Sequence, residues 1–541
     1  MPKRKRTRTN TDTDISEFLE VSDGSYCEAP KPQSKKTRQA RKVTSKRARP
    51  SATAMGTITI AQEGVEPSMS NPKATHPTSW HVVTGVEPIR EALLHWYGQI
   101  REVRGMPWRK PFDGSLDAEG RAQRAYEVWV SEVMLQQTQV ATVIPYYNNW
   151  MAKFPTTKDL AASDIDTVNS LWKGLGYYSR AARLLSGAQK VVKELSGRLP
   201  DNAKDMQAKI PGIGRYSAGA ICSIAYNQCA SVLDGNVIRL LARFLALYAP
   251  PKGKQAQDIL WAGAEAFVEG SSRPGDVNQA LIELGSTVCK VKNPACGDCP
   301  LQPWCRAYQK TQSDSDPVME VADIEESCIL CDPLPADEPD TALVTIYPMK
   351  VERKKAREEL DSVNAIEWRT ADDSERFFLL VRRPEGGLLA GLHEFPTVPN
   401  ISGASATAAK VAEIPNSLLE SGDDKDKDSA QGEMRIVHVK PAGDVVHVFS
   451  HIRKTYRVQW VLMKGGGDEP PKLLQKSDSP MKGRNKVAQK SNRKHLEVSE
   501  DSEAGKVSAA DLARWVPLHQ VEQANIGTGV VKVWKLLQTL W

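Results

Sequence analysis

CKVKNPACGDCPLQPWC, residues 289–305, decides how this chain is read. Its four cysteines fall at 289, 296, 299 and 305, a C-x6-C-x2-C-x5-C spacing. Pro294 and Pro300 bend the chain between them, so four thiolates can converge on one small inorganic centre. Ligation by four cysteines suits zinc or an iron–sulfur cluster. Disulfides fit less well, because nothing in the chain looks secreted. Zinc sites usually come as two short-spaced pairs and this stretch has one, yet the residues alone leave both metals open. The stretch closes a long helical region and marks where it ends.

At 541 residues the chain has room for two or three domains. Its nine cysteines are odd in number and clustered, and no secretory h-region precedes them, which points to a reducing compartment and metal ligation. No apolar run approaches the ~20 residues of a membrane span. The net charge of +6 misleads, because residues 1–50 carry fourteen Lys/Arg against six Asp/Glu. The rest is close to neutral, so a nucleic-acid site in the folded part must rest on local geometry.

Residues 1–78, rich in Lys, Arg, Ser, Thr and Pro, read as a disordered basic tail. Lys3-Arg4-Lys5-Arg6 and the 35–49 region look like nuclear-import signals; the bland alternative is a solvated tail with weak DNA affinity. From Trp80 to about Ala307 the pattern is helical. A helix starts at Pro88-Ile89-Arg90 and runs to Tyr97, and residues 104–109 (RGMPWR) form a compact loop. Residues 125–147, AYEVWVSEVMLQQTQVATVIPYY, are apolar around most of the turn and predict one central, buried helix. Glu132 lies inside it, with Val128, Trp129, Leu135 and Gln136 three and four positions away. A carboxyl on so apolar a face should have a raised pKa; the alternative is an ordinary surface glutamate.

Gly174 and Gly176 then break the pattern, with Tyr177 and Tyr178 after them. In DNAKDMQAKIPGIGRYSAGAI, residues 201–221, a helix capped near Asp201 meets Pro211-Gly212-Ile213-Gly214, and a second helix begins near Tyr216. This has the form of a helix-hairpin-helix, whose glycines let backbone N–H groups approach a phosphate. Asp234 caps the next helix, by default a structural role. Residues 310–340 read as a linker and contain the pair Cys328 and Cys331, half of a metal site. From about Thr341 the pattern alternates as strands do, in ALVTIYPMKV, RFFLLVRRP, RIVHVKP, VVHVFSHI and TYRVQWVLM. Residues 401–433 hold a charged insertion, 464–510 read as disordered, and 511–541 return to helical patterns. The expected architecture is multidomain: an all-α helix-hairpin-helix domain over 79–309, a linker over 310–340, and an α+β domain over 341–541.

The hairpin, the downstream Asp234 and the four-cysteine loop resemble the endonuclease III superfamily. SEVMLQQTQVATVIPYY, LWKGLGYYSRA, PGIGRYSAGAI and LDGNV are similar, more narrowly, to the MutY-type adenine DNA glycosylases in their eukaryotic nuclear form. LLVRRPEGGLLAGLHEFP and HVFSHI resemble that family's Nudix-like second domain. The resemblance implies a [4Fe–4S] cluster on Cys289, Cys296, Cys299 and Cys305. It implies base-excision repair of adenine opposite 8-oxoguanine or guanine in duplex DNA. Glu132 would protonate the purine and Asp234 would face the cationic sugar, with Tyr216 and Asn236 beside them. Glu283 and Trp108 would line the adenine pocket, and Gln137 and Tyr177 would enter the duplex. Arg104 and Arg109 would reach the lesion pair or backbone, while Gly212 and Gly214 hold a phosphate.

Bifunctional relatives carry a Schiff-base lysine where this chain has Tyr216, and Lys209 lies on the other side of the hairpin, so a monofunctional glycosylase is expected. Phe449-Ser450-His451 matches the family's lesion-sensing loop. No glutamate run follows Gly391-Leu392-His393-Glu394-Phe395-Pro396, so this domain should bind without hydrolysing. Cys328, Cys331 and His81 match part of the zinc site of animal members. A further cysteine expected near position 321 is absent, Val321 standing there, and Ala242 replaces another candidate ligand. The expected protein is a nuclear monomer without a membrane anchor, its linker a docking stretch for repair or replication proteins, and a mitochondrial pool is left open. The competing readings are a glycosylase/lyase or thymine-mismatch enzyme of the same fold, and a non-catalytic damage-binding scaffold.

Overall fold

The computed structural model describes residues 76–312, 327–334, 344–351, 355–384, 389–401, 434–449, 451–465, 467–473 and 513–541. The import signals, Val321, Ser450, the stretch after Ile401 where a hydrolase would carry its glutamates, and the body of the 464–510 insert lie outside the described residues. The chain divides into two compact units: Met1–Leu93, Leu233–Phe267 and Ala280–Lys350 in one; Leu94–Val232, Val268–Gln279 and Val351–Trp541 in the other.

In the first unit the helix Gly235–Phe244 is central: every residue but Asn236 is buried. A helix enclosed all round has no solvent face to spare, so its arginines, Arg239 and Arg243, must find partners inside. Asp234 caps its N-terminus by accepting from the Val237 amide at 2.8 Å. Beyond its C-terminus, Ala246 packs with Ala307, Val344, Ile346 and Tyr347. The cysteine stretch folds as two short 3-10 turns, Cys296–Asp298 and Gln302–Trp304, before the helix Arg306–Gln312. His76 and Pro77, counted with the tail by composition, are ordered against the linker: Pro77 bridges to Ser327, and the Cys328 amide donates to the His76 carbonyl at 2.8 Å.

In the second unit the predicted 125–147 helix is two helices, Ala118–Leu135 and Val140–Lys153. The break is at Gln136-Gln137-Thr138-Gln139, where Gln137 takes a left-handed φ of 54°. Glutamine is a good helix former and the apolar pattern resumes in phase, so no breaker was visible in the sequence. Val128 through Met134 are all buried, as the all-round apolar pattern requires. Trp129 lies so close to Gly187 of the helix Ser179–Glu194 that a Cβ there would sit 2.8 Å from its ring. The hairpin forms as expected. Asn202, one residue beyond Asp201, caps the helix Ala203–Lys209. Gly212 has φ 79° and Gly214 caps the helix Arg215–Tyr226.

The sheet of the same unit contains β1 (Arg357–Arg369), β2 (Arg376–Arg382), β3 (His393–Glu394), β4 (Thr397–Val398), β5 (Arg435–Val448), β6 (Ile452–Lys464) and β7 (Ala513–Pro517). The order is β3-β2-β1-β6-β5, with β4 on β1 and β7 on β2; β1 and β6 run parallel and the other pairs antiparallel. On one face Val363, Ala365, Phe378 and Val458 pack under Val530, Val533 and Trp534 of the helix Thr528–Gln538. On the other, Ile366, Trp368, Leu379 and Val461 form a second cluster. Burial on both faces explains why β1 reads as a buried run.

Candidate active site and metal centres

Glu132 sits in the buried stretch of helix 118–135 and is only 8% exposed. The hydroxyl of Tyr216, in the first turn after the hairpin, donates to its Oε2 at 2.8 Å. The carboxyl is thus enclosed by apolar neighbours and held by one hydroxyl from a residue 84 positions away.

Asp234 and Asn236 form the second pair. Asn236 Nδ2 donates to Asp234 Oδ2 at 2.8 Å. Arg239 Nη2 donates to Asn236 Oδ1 at 3.0 Å and to the Gly285 carbonyl at 2.6 Å, and its Nε to the Cys289 carbonyl at 2.9 Å. Gly285 is required there, because a Cβ would stand 2.7 Å from the Asn236 carbonyl. Burial raises the pKa of Asp234, opposed by the Val237 amide, Asn236 and Arg239. The half-buried residue is therefore a strained anion: desolvated, yet supplied with donors that favour its charge.

The other predicted residues are placed as follows. Glu283 is buried on the helix Pro274–Thr287. Trp108 is buried, its ring edge-to-face on Tyr147 at 5.1 Å. Arg109 lies 5.5 Å from the Tyr97 ring and donates to the Arg101 carbonyl at 3.4 Å, while Arg104 is half-buried in the same loop. Gln137 and Tyr177 both have positive φ, 54° and 49°, and Tyr177 is 46% exposed. Phe449 closes the β5–β6 hairpin, its amide donating to the Ile452 carbonyl at 2.8 Å and its ring 4.5 Å from His447; His451 is exposed.

Cys289, Cys296, Cys299 and Cys305 line one cavity together with Arg243 and Pro294. Arg243 Nη1 reaches Cys289 Sγ at 3.3 Å. Burial, with the neighbouring thiols, pushes Cys299 and Cys305 up to about 12 and Cys296 in the same direction. Thiols raised in this way ionise together only around a positive centre, which is what an iron–sulfur cluster provides. The donor set fits that group.

A second set, His76, His81, Cys328 and Cys331, offers four ligand atoms within 4.8 Å of one another. His81 Nε2 lies 3.1 Å from His76 Nε2, 3.4 Å from Cys328 Sγ and 3.3 Å from Cys331 Sγ. His81 Nδ1 is 3.0 Å from the Leu245 carbonyl, which can only accept, so Nδ1 carries the proton and Nε2 keeps its lone pair for a metal. A hydrogen bond from the Cys331 thiol outweighs burial and holds the Cys328 thiol below the usual range. The sequence reading missed His76. The signal was present: His76-x4-His81 with Cys328-x2-Cys331 is a Cys2His2 spacing.

Comparison with known proteins agrees with this geometry. Residues 130–265 match the family of HhH-GPD superfamily base excision DNA repair proteins, and residues 369–536 match the NUDIX domain. The class is therefore a base-excision DNA glycosylase of the helix-hairpin-helix type followed by a Nudix-like domain. The human adenine DNA glycosylase is 43% identical over 403 residues, covering 72% of this chain and 70% of that protein. The rat adenine DNA glycosylase is 43% identical over 393 residues, 71% of this chain and 72% of that protein. The chain belongs to the adenine DNA glycosylases. Among solved structures, a thermostable thymine-DNA glycosylase aligns at 24% identity and TM-score 0.34, covering 41% of this chain and 95% of that one.

Proposed function

We propose that this glycosylase excises adenine paired with 8-oxoguanine or guanine in duplex DNA, by acid-assisted cleavage and without a strand-cleaving step. The observation that carries the reading is the Tyr216 hydroxyl on Glu132 Oε2 at 2.8 Å. It fixes the carboxyl of the residue proposed as the acid through its Oε2. Adenine leaves the stack at a cost of a few kcal/mol and is protonated at N7 by Glu132. The C1′–N9 bond then breaks with its electron pair going to the purine. Asp234, the half-buried anion, stabilises the oxocarbenium-like sugar, and water completes the hydrolysis. A tyrosine in place of the amine means that no Schiff base forms at position 216, so the abasic strand stays intact. The Phe449-Ser450-His451 hairpin reads the opposite base.

Cys289, Cys296, Cys299 and Cys305 would hold the [4Fe–4S] cluster, which shapes the loop carrying Lys290 and Lys292 for phosphate contact. His76, His81, Cys328 and Cys331 would hold one Zn2+; two thiolates and two neutral imidazoles give a neutral complex suited to a structural role. Lys3–Arg6 and the 35–49 region would direct nuclear import.

The test is single-turnover release of adenine from an 8-oxoguanine:A duplex, wild type against Glu132→Gln. Wild type should release adenine and leave an alkali-labile, uncut strand. No release by wild type ends the reading; a full rate for Glu132→Gln at equal binding ends the assignment of the acid.

A further inference from the structure

We infer that Arg180 is the positioning residue that joins the Gln137 and Tyr177 loops into one wedge. The inference rests on the proposed excision of a flipped adenine, in which those two residues enter the duplex. Arg180 is the second residue of helix 179–194 and is 7% exposed. Its Nη1 donates to the carbonyls of Val133 at 2.8 Å, Met134 at 3.2 Å and Gln136. These are acceptors left open at the end of helix 118–135 and at its C-cap Gln136, the residue before Gln137. Its Nη2 faces the other way, donating to Gly176 at 3.2 Å and Leu175 at 3.5 Å, in the turn that delivers Tyr177. One planar group therefore spans both loops.

The electrostatics match. No carboxylate is among the described partners of Arg180; its charge is met by the carbonyl end of a helix, where the dipole is negative. The Trp172 and Tyr177 rings each lie 5.4 Å from its Cζ. Burial lowers its pKa to about 10, which leaves it charged at neutral pH. Gln137 and Tyr177 both hold left-handed backbone conformations that non-glycine residues keep only when their surroundings enforce them. Arg180 bonds to the carbonyl immediately before each of the two, so the same fork enforces both turns and fixes their spacing. A lysine keeps the charge but offers one point where two loops need two.

The test uses the full chain with Arg180→Met and Arg180→Lys. Single-turnover excision is measured on an 8-oxoguanine:A duplex and on the same strand with adenine facing an abasic-site analogue, where no base pair has to be opened. Arg180→Met should slow the paired substrate on the order of 10²-fold. Its deficit relative to wild type should shrink at least several-fold on the unpaired substrate, and Arg180→Lys should follow the same pattern more mildly. A merely structural role would slow both substrates alike. Equal deficits, or a variant that matches wild type on the paired duplex, overturns the inference. If Arg180→Met does not fold, the Arg180→Lys ratio decides. Absence of excision by wild type itself would instead refute the proposed function.

Discussion

Asp234→Asn should slow excision severely without lowering the melting temperature, and Asp234→Ala should do both. Asparagine is as good an N-cap as aspartate, so the bond from the Val237 amide survives and the capping change is about zero. Alanine removes the cap as well, at a cost of about 1 kcal/mol within a range of roughly 0.5–2, whereas the loss of the Oδ2 acceptor of Asn236 Nδ2 is common to both variants. For a cooperative unit of this size that corresponds to a fall of roughly 2–4 °C in Tm.

Burial adds a pH dependence whose sign is set by Asp234's raised pKa. The folded state holds this proton more tightly than the unfolded chain. Stability from that proton is present below the unfolded value of 3.8 and is lost as pH rises through the folded pKa. At neutral pH the ionised carboxylate is therefore a net cost that asparagine removes. Asp234→Asn should melt at or above the wild-type temperature at pH 7, and the gap should narrow as the pH falls toward 4. The excision rate should fall by about 10²–10³-fold, the loss associated with removing one preorganised electrostatic group. Thermal melts at several pH values and single-turnover rates check both halves. If Asp234→Asn melts as low as Asp234→Ala at pH 7, or retains wild-type excision, the description of Asp234 as a strained functional anion is wrong.

Tyr216→Phe keeps the ring and loses the donor to Glu132; excision should slow by about tenfold, the worth of one hydrogen bond of ~1–1.5 kcal/mol, with DNA affinity unchanged in a binding titration. His76→Ala, alone or with Cys331→Ser, should lower zinc from one equivalent toward none while iron content persists; full zinc in the double variant would exclude this ligand set. Gly187→Ala drives a methyl against the Trp129 ring and should cost about 1–3 kcal/mol in a denaturant titration, with any loss of activity following the loss of fold. Residues 1–50 fused to a cytosolic reporter should carry it into the nucleus, and replacing Lys3 to Arg6 with alanine should weaken that import.

Much of the site was legible because its signals are local. Glu132 stands out because three of its four neighbours one helical turn away are apolar, and its burial follows from that spacing. The cysteine loop, the hairpin glycines and the cap at Asp234 are likewise properties of neighbouring residues: ligand spacing, a positive φ at Gly212, a side chain within reach of its own helix. The break at Gln137 was not legible, since glutamine favours the helix it interrupts and the left-handed turn is enforced from elsewhere.

Spacing and periodicity along the chain determined that the stretch from Trp80 to about Ala307 would be largely helical, that a sheet would follow, and that four thiols would share one loop. Only the tertiary structure decided which distant groups meet. Tyr216 reaches Glu132 across 84 residues, His81 meets Cys328 across 247, and Arg180 meets Gln136 across 44. The reason is physical. Hydrogen bonds along a helix or within a turn depend on neighbours, whereas these contacts form only after packing brings separate elements together, and a bare string of residues carries no measure of that distance.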